Sequence, residues 1–229
     1  MAVTQEVVGG FRKARSRADR MSRPTVIGLD CDGVLASDRL LWEHLVTRFP
    51  QHIPAQYEDL ASFEWPRVTE ETAALCAELS ADPLFALRLP PIPGMTDALN
   101  ALAMRGYELH VITARPAHVR DATRLWLRRY GVAQYVRGIH CVDSGLEKVP
   151  LALDLGCAAF VEDNRTTAEA LAAKGIRSYL MDASYNRGAD GDVLRVRGWQ
   201  PLLGDIVRAV QPRRGLEAAS GAELASLAS

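Results

Sequence analysis

Residues 26 to 35 read VIGLDCDGVL, an apolar run that ends in two acids, Asp30 and Asp32, separated by Cys31 and followed by Gly33. A single aspartate after a strand is ordinarily a helix cap. Two of them before a glycine, with a further pair, Glu162 and Asp163, closing the run AAFVED, point to chemistry instead. Carboxylates brought within a few ångströms of one another repel, and each resists ionisation unless a cation sits among them. A hard divalent ion such as Mg2+ suits this oxygen-only set, keeping some waters and taking its last ligand from a phosphate. No Cys/His cluster or H-E-x-x-H pattern is present to favour zinc.

With Mg2+ and Lys148 offsetting the charge, Asp30 is able to approach phosphorus as a nucleophile, forming an aspartyl-phosphate. Asp32 then serves as the acid that protonates the leaving oxygen and as the base that activates water. Gly33 gives the chain room to turn beside the phosphate. The hydroxyl of Thr113 hydrogen-bonds a phosphoryl oxygen, with Ala114 and Arg115 next to it in the same turn. Arg115 could touch the phosphate or merely pair with a surface acid, and Lys174 and Arg137 are alternatives to Lys148. Cys31 points to the opposite side of the strand from its acidic neighbours and reads as a packed, unreactive thiol. Asp143 and Asp182 read as turn formers.

These residues need a scaffold that gathers strand ends. Short runs rich in Val, Ile and Leu (25–30, 107–113, 138–143, 158–163 and 177–182) alternate with segments of helical period, the pattern of an α/β fold: a Rossmann-like parallel sheet covered by helices. A short edge strand is expected at 193–196. In such sheets ligands bind beyond the carboxyl ends of the strands, where the acids fall. The link between the first two strands is too long for a loop, and its part between Val34 and the helix that begins near Pro93 holds two helical patterns of its own, so that part reads as a small helical insertion. The expected division is a basic arm at 1–23, a core at 24–36 and 89–211, a helical cap at 37–88 and a flexible tail at 212–229. Phe63 and Trp65 in the insertion are either its own core or a stacking surface for a substrate.

The net charge of -1 supplies no overall basic field for duplex nucleic acid or an anionic membrane, and no apolar run reaches the length of a membrane span. The 48% hydrophobic and 24% charged composition is that of a folded globular chain rather than a disordered one. Four cysteines without C-x-x-C spacing suit free thiols in a cytoplasmic setting. The expected partner is a small phosphomonoester, and the expected assembly a monomer or homodimer.

Taken in order, DCDGV, VITAR, Lys148 and FVEDN resemble the four motifs of the haloacid dehalogenase superfamily. The resemblance implies Asp30 as nucleophile, Asp32 as general acid/base and main-chain metal ligand, Thr113 and Lys148 as phosphate contacts, and Glu162 with Asp163 as metal-site acids. It also implies a C1-type cap. The stretches DGVLASDRLLWEHLVTRFP, LRLPPIPGMTDALNAL and LMDASYNRGADGDVLRVRGW resemble the 5'(3')-deoxyribonucleotidases and their bacterial relatives, implying nucleoside monophosphates as substrates. Sugar phosphates, phosphoglycolate-like metabolites and nucleic-acid 3'-phosphate ends are the rival substrates, and a non-catalytic phospholigand-binding protein is the rival of another class. Two departures from that group stand out. Glu162 occupies a position where the eukaryotic enzymes usually have Asp, which leaves open which acid touches the metal. Asp38 lies about where they place an aromatic residue against the base.

Overall fold

The computed structural model describes residues 24–188 and 191–212. The expected basic arm, and the tail beyond Pro212, lie outside the described residues. Residues Thr25–Pro212 form one compact unit.

Six strands build one all-parallel sheet: β1 (Thr25–Leu29), β2 (Tyr107–Thr113), β3 (Val136–Cys141), β4 (Cys157–Glu162), β5 (Arg177–Met181) and β6 (Leu194–Val196). Their order across the sheet is β3-β2-β1-β4-β5-β6. Each of the five expected strands is present, as is the short edge strand. The third begins two residues early and stops at Cys141, so Asp143 falls beyond it in the following turn.

Because β1 is central and covered on both faces, every one of its residues is buried, which is why TVIGL reads as a continuous apolar run rather than an alternation. Ile27 and Leu29 join a core with Leu99 and Leu102 of α4 (Met95–Met104), Trp126 and Leu127 of α5 (Arg120–Arg129), and Leu202 and Ile206 of α8 (Trp199–Ala209). On the other face Val26, Ile112 and Phe160 pack with Val149 and Ala152 of α6 (Lys148–Leu155) and Leu171 of α7 (Arg165–Ala172). Gly28 is fixed by this packing, since a Cβ there would lie 2.4 Å from the ring of Phe160 on the neighbouring strand.

Within residues 37–88 lie three α-helices, one more than the sequence pattern suggests: α1 (Arg39–Arg48), α2 (Glu70–Ala81) and α3 (Pro83–Arg88). The break between the last two has a local cause. Asp82 accepts a bond from the Leu84 N–H at 2.8 Å and Pro83 occupies the first helical position, so a new N-terminus starts where the periodicity runs on. This segment carries its own apolar cluster of Leu45, Ile53, Leu60 and Trp65, joined by Tyr185 from the far end of the chain.

The chain leaves and re-enters the sheet through two paired connectors. Ser37 N–H bonds the Pro90 carbonyl at 2.8 Å and Ile92 N–H bonds Leu35 at 2.8 Å, with Ala36 bridged antiparallel to Pro91. Two buried indoles pin the connectors, Trp199 Nε1 donating to the Val34 carbonyl at 2.9 Å and Trp126 Nε1 to Leu89 at 2.7 Å. Each satisfies a buried carbonyl that no ladder reaches.

Candidate active site

The strand order reverses between β1 and β4, and a crevice opens at their carboxyl ends, the usual ligand position in open parallel sheets. Asp30 follows β1 and Glu162 and Asp163 close β4, so strand pairing alone brings the two acidic motifs together across more than a hundred residues. The register Leu29↔Val161 and the bond from Asp30 N–H to the Val161 carbonyl at 2.9 Å set their relative height. Carboxylate oxygens of Asp30, Glu162 and Asp163 all lie within 4.8 Å of one another, and all three residues are buried.

Lys148 enters from the first turn of α6. Its Nζ is 2.5 Å from Asp30 Oδ2 and 2.9 Å from Glu162 Oε2. Burial works against its charge, but the two acids outweigh that and hold its pKa above the usual lysine range. Lys148 therefore supplies one positive charge against three acids. Desolvation first, and the neighbouring Glu162 second, push the carboxyl of Asp30 well above its ordinary value despite Lys148. Asp163 is raised by the same burial and by Glu162 and Asp30. Three carboxylates against one ammonium leave two negative charges uncompensated, which a divalent cation would cancel. The donors are all oxygens, the preference of Mg2+. On this chemistry the residues fit that ion.

The other contacts of the acids divide their roles. Glu162 accepts from Lys148 on one oxygen and from the Asn164 N–H, at 3.2 Å, on the other. Asp30 Oδ1 accepts from the Cys31 N–H at 2.7 Å. Asp163 Oδ2 accepts from the Tyr185 hydroxyl at 2.8 Å, leaving Oδ1 without a protein hydrogen bond among the described residues. Gly33 has φ +72°, and a Cβ on it would sit 2.1 Å from Asp163 Oδ2. Only glycine permits both the left-handed backbone and this close approach.

Asp32 stands apart from the acidic trio. Its side chain is 45% exposed and faces the cavity, where Arg115 grips it with a two-pronged contact, Nη2 to Oδ1 at 2.6 Å and Nε to Oδ2 at 2.8 Å. Arg115 is buried, and its remaining arm donates to Thr123 Oγ1 at 3.0 Å. Its acid partner is thus Asp32 of the cavity rather than a surface acid. Thr113 is buried at the end of β2, and its Oγ1 accepts from the Arg115 N–H at 3.2 Å. Thr113, the exposed Ala114, Arg115 and Lys148 all line the same cavity of about 470 Å³ as Asp30, Asp32, Glu162 and Asp163.

Much of the rest of the cavity lining is apolar, with Leu41, Phe63, Trp65, Pro66, Leu79, Phe85 and Leu89 beside the polar Arg67 and Ser80. Trp65 belongs to the insertion's own core, whereas Phe63 is only half-buried and packs edge-on against Tyr185 with ring centroids 5.9 Å apart. Two residues found here had no assigned part in the chemistry from the sequence alone. Asp38 lines the cavity and accepts a short hydrogen bond from Tyr57, while burial pushes its carboxyl up to about 6. Asp143 also faces the cavity rather than serving only the turn. Asp182 does pair locally, with Arg195 at 2.7 Å. Cys31 is fully buried and burial pushes its thiol far up, in keeping with an inert packed side chain. All four cysteines are free.

A family model described as "5' nucleotidase, deoxy (Pyrimidine), cytosolic type C protein" matches residues 23–211. Among curated proteins, a "Putative nucleotidase" of Bacillus cereus is 27% identical over 127 residues, 56% of this chain and 66% of that protein. "Nucleotidase CA_C3379" of Clostridium acetobutylicum is 30% identical over 101 residues, 42% of this chain and 50% of that one. The chain thus spans just under two thirds of the first of these relatives and half of the second. Among solved structures, the L-2-haloacid dehalogenase of Xanthobacter autotrophicus superposes with a TM-score of 0.53 at 13% identity, covering 82% of this chain and 100% of that one. The "putative HAD-hydrolase YfnB" of Bacillus subtilis, solved bound to magnesium, gives 0.52 at 18% identity over 80% and 98%. At such identities these two structures establish the shared fold. Among the described residues no helix is long and apolar enough to cross a membrane.

Proposed function

We propose, from the premise that this chain belongs to the 5' nucleotidase, deoxy (pyrimidine), cytosolic type C family, that it hydrolyses nucleoside monophosphates through an aspartyl-phosphate on Asp30. The observation that carries the reading is the joining, in one cavity, of Asp30 against Lys148 and the acidic pair with an apolar wall large enough for a base. The carboxylate of Asp30 attacks phosphorus as the bond to the leaving oxygen breaks. Asp32 gives its proton to that oxygen, then takes one from the water that attacks the phosphoenzyme, which frees phosphate and restores Asp30. Arg115 holds the plane of the Asp32 carboxylate so that both transfers use one geometry. Lys148 and Thr113 face the phosphoryl oxygens as their charge grows.

Magnesium, when bound, supplies the positive charge that lets an anionic carboxylate meet an anionic phosphate. The carboxylates of Asp30 and Asp163, and by the superfamily resemblance the main-chain carbonyl of Asp32, would hold it. Asp163 is the better direct ligand of the acidic pair, because both oxygens of Glu162 are already committed to Lys148 and the Asn164 N–H. Glu162 then acts from behind, fixing Lys148.

Residues 37–88 act as the cap. They enter and leave through the paired connectors and bring Leu41, Phe63 and Trp65 to the cavity, shutting out water and polymeric substrates. Phe63, with one face on the cavity side, is the stacking surface for the base, and Trp65 supports it from the core. The test is a panel of phosphomonoesters assayed for Mg2+-dependent phosphate release. Nucleoside monophosphates should be turned over at least tenfold better than sugar phosphates or phosphoglycolate, and Asp30→Asn should abolish release. Equal turnover of sugar phosphates and nucleotides would overturn the substrate assignment, and phosphate release surviving in Asp30→Asn would overturn the mechanism.

A further inference from the structure

The stretch SYNRG after β5 supplies no group to the chemistry above, yet it lies directly behind the acidic site. We propose that Tyr185 is a positioning residue whose hydroxyl fixes Asp163 for the cation and ties that carboxylate to the seat of the 37–88 segment. The inference rests on the reading of Asp163 as a metal-site acid.

The backbone of a single 3-10 turn, Ser184–Asn186, is unusually well anchored. Asn186 Nδ2 donates to the main-chain carbonyls of Asp163 and Met181, both at 2.8 Å. Arg195 clamps the same asparagine from the other side, reaching its side-chain and main-chain oxygens at 2.8 Å each. The turn is thereby locked to the ends of β4 and β5, and Tyr185 is held at a fixed distance from Asp163. Its ring is buried and its hydroxyl donates to Asp163 Oδ2 at 2.8 Å. A donor committed to Oδ2 sets the carboxylate's rotation and presents Oδ1 to the cavity. Outer partners of this kind commonly govern metal affinity as strongly as the ligands they orient.

The ring itself is not packed into the sheet's core. It sits in the apolar cluster of the 37–88 segment with Leu45, Ile53, Leu60 and Trp65. It meets Tyr57 edge-on at 6.4 Å, and the neighbouring Ser184 Oγ donates to the Tyr57 carbonyl at 3.0 Å. One side chain therefore has its body in the insertion and its hydroxyl on the metal-site acid. The insertion's cluster thus packs against the very side chain that aims Asp163.

The experiment uses the full chain and the phenylalanine variant, Tyr185→Phe, which keeps the ring and removes only the hydroxyl. Mn2+ binding is followed by calorimetry without substrate, and the Mg2+ dependence of phosphate release is followed separately, with melting in EDTA as the check on folding. The metal midpoint should rise about 10- to 100-fold in both assays, with lost activity recovered as Mg2+ is raised. A merely structural tyrosine would lower activity or melting temperature without moving the metal midpoint. Combined with Asp163→Asn, the Phe substitution should add little further loss of Mn2+ affinity, because the two groups act as a unit. A midpoint within twofold of the wild type, or full additivity with Asp163→Asn, would overturn the inference while leaving the proposed function standing. A wild-type chain that neither bound Mn2+ nor released phosphate would remove both.

Discussion

Replacing Lys148 with methionine keeps the length of the side chain and deletes the single ammonium among three buried acids. At 2.5 Å from Asp30 and 2.9 Å from Glu162, each ion pair has a gross attraction of about 6 kcal/mol at an effective dielectric constant near 20. Much of that is offset by the cost of burying the charges, and removing one partner of a buried pair ordinarily costs about 3–5 kcal/mol. The cost must depend on pH, because the stranded carboxyls escape by taking up protons. Asp30 already has a raised pKa, and losing Lys148 raises it further. An acid whose folded value is raised binds a proton that the unfolded chain releases, so stability falls as pH climbs above the ordinary value of 3.8 toward the folded one. The lysine's own contribution is fully present throughout, since its folded value lies above the ordinary 10.5. Urea unfolding in EDTA should therefore show Lys148→Met less stable by about 3–5 kcal/mol at pH 8 and by markedly less at pH 5. Excess MgCl2 should narrow the gap at pH 8 by neutralising the same acids. A loss below about 1 kcal/mol at pH 8, the range of an exposed pair, or an equal loss at both pH values, would refute this account of the site's electrostatics.

Other outcomes follow from the same geometry. Gly33→Ala places a methyl group on Asp163 in a left-handed backbone, so about 1–2 kcal/mol of strain should accompany a loss of phosphate release of about 100-fold, measured by unfolding and by assay. Arg115→Lys replaces a two-pronged grip on Asp32 with a single contact, and kcat/KM should fall about tenfold, or about 1.4 kcal/mol, with the metal midpoint unmoved. Asp38, raised from 3.8 to about 6 by burial, is a carboxylate that the folded chain holds at a cost above that value. Asp38→Asn should stabilise the protein by about 1–2 kcal/mol at pH 8, after allowing for its partial exposure, and by nothing at pH 4, as read from urea midpoints. His140 has its pKa lowered by burial and by the adjacent His110. The unfolded chain therefore protonates first, and the wild type should lose stability as pH falls below about 6.5, a loss that His140→Gln removes.

The sequence by itself determined the elements whose signals are local. Buried parallel strands announce themselves as unbroken apolar runs, so β1, β2, β4 and β5 stand within a residue or so of their expected places. Acids beyond strand ends and a glycine after Asp32 are equally local marks, and they picked out Asp30, Asp32, Glu162 and Asp163, which the fold brings into one cavity. What tertiary structure decided was which charge meets which. That Arg115 forks onto Asp32, that Lys148 rather than Lys174 or Arg137 reaches the acids, and that both oxygens of Glu162 accept hydrogen bonds while one oxygen of Asp163 accepts none among the described residues depend on tertiary distances. Tyr185 and Asp38 are the sharpest cases. A tyrosine in a turn carries no pattern of its own, and Asp38 stood out only as a departure from the resembled enzymes, with nothing to say what it does. Their meaning comes from tertiary packing, which for the Tyr185 ring joins residues over a hundred positions apart, and the periodicity of a chain records only which side of its own element a residue faces.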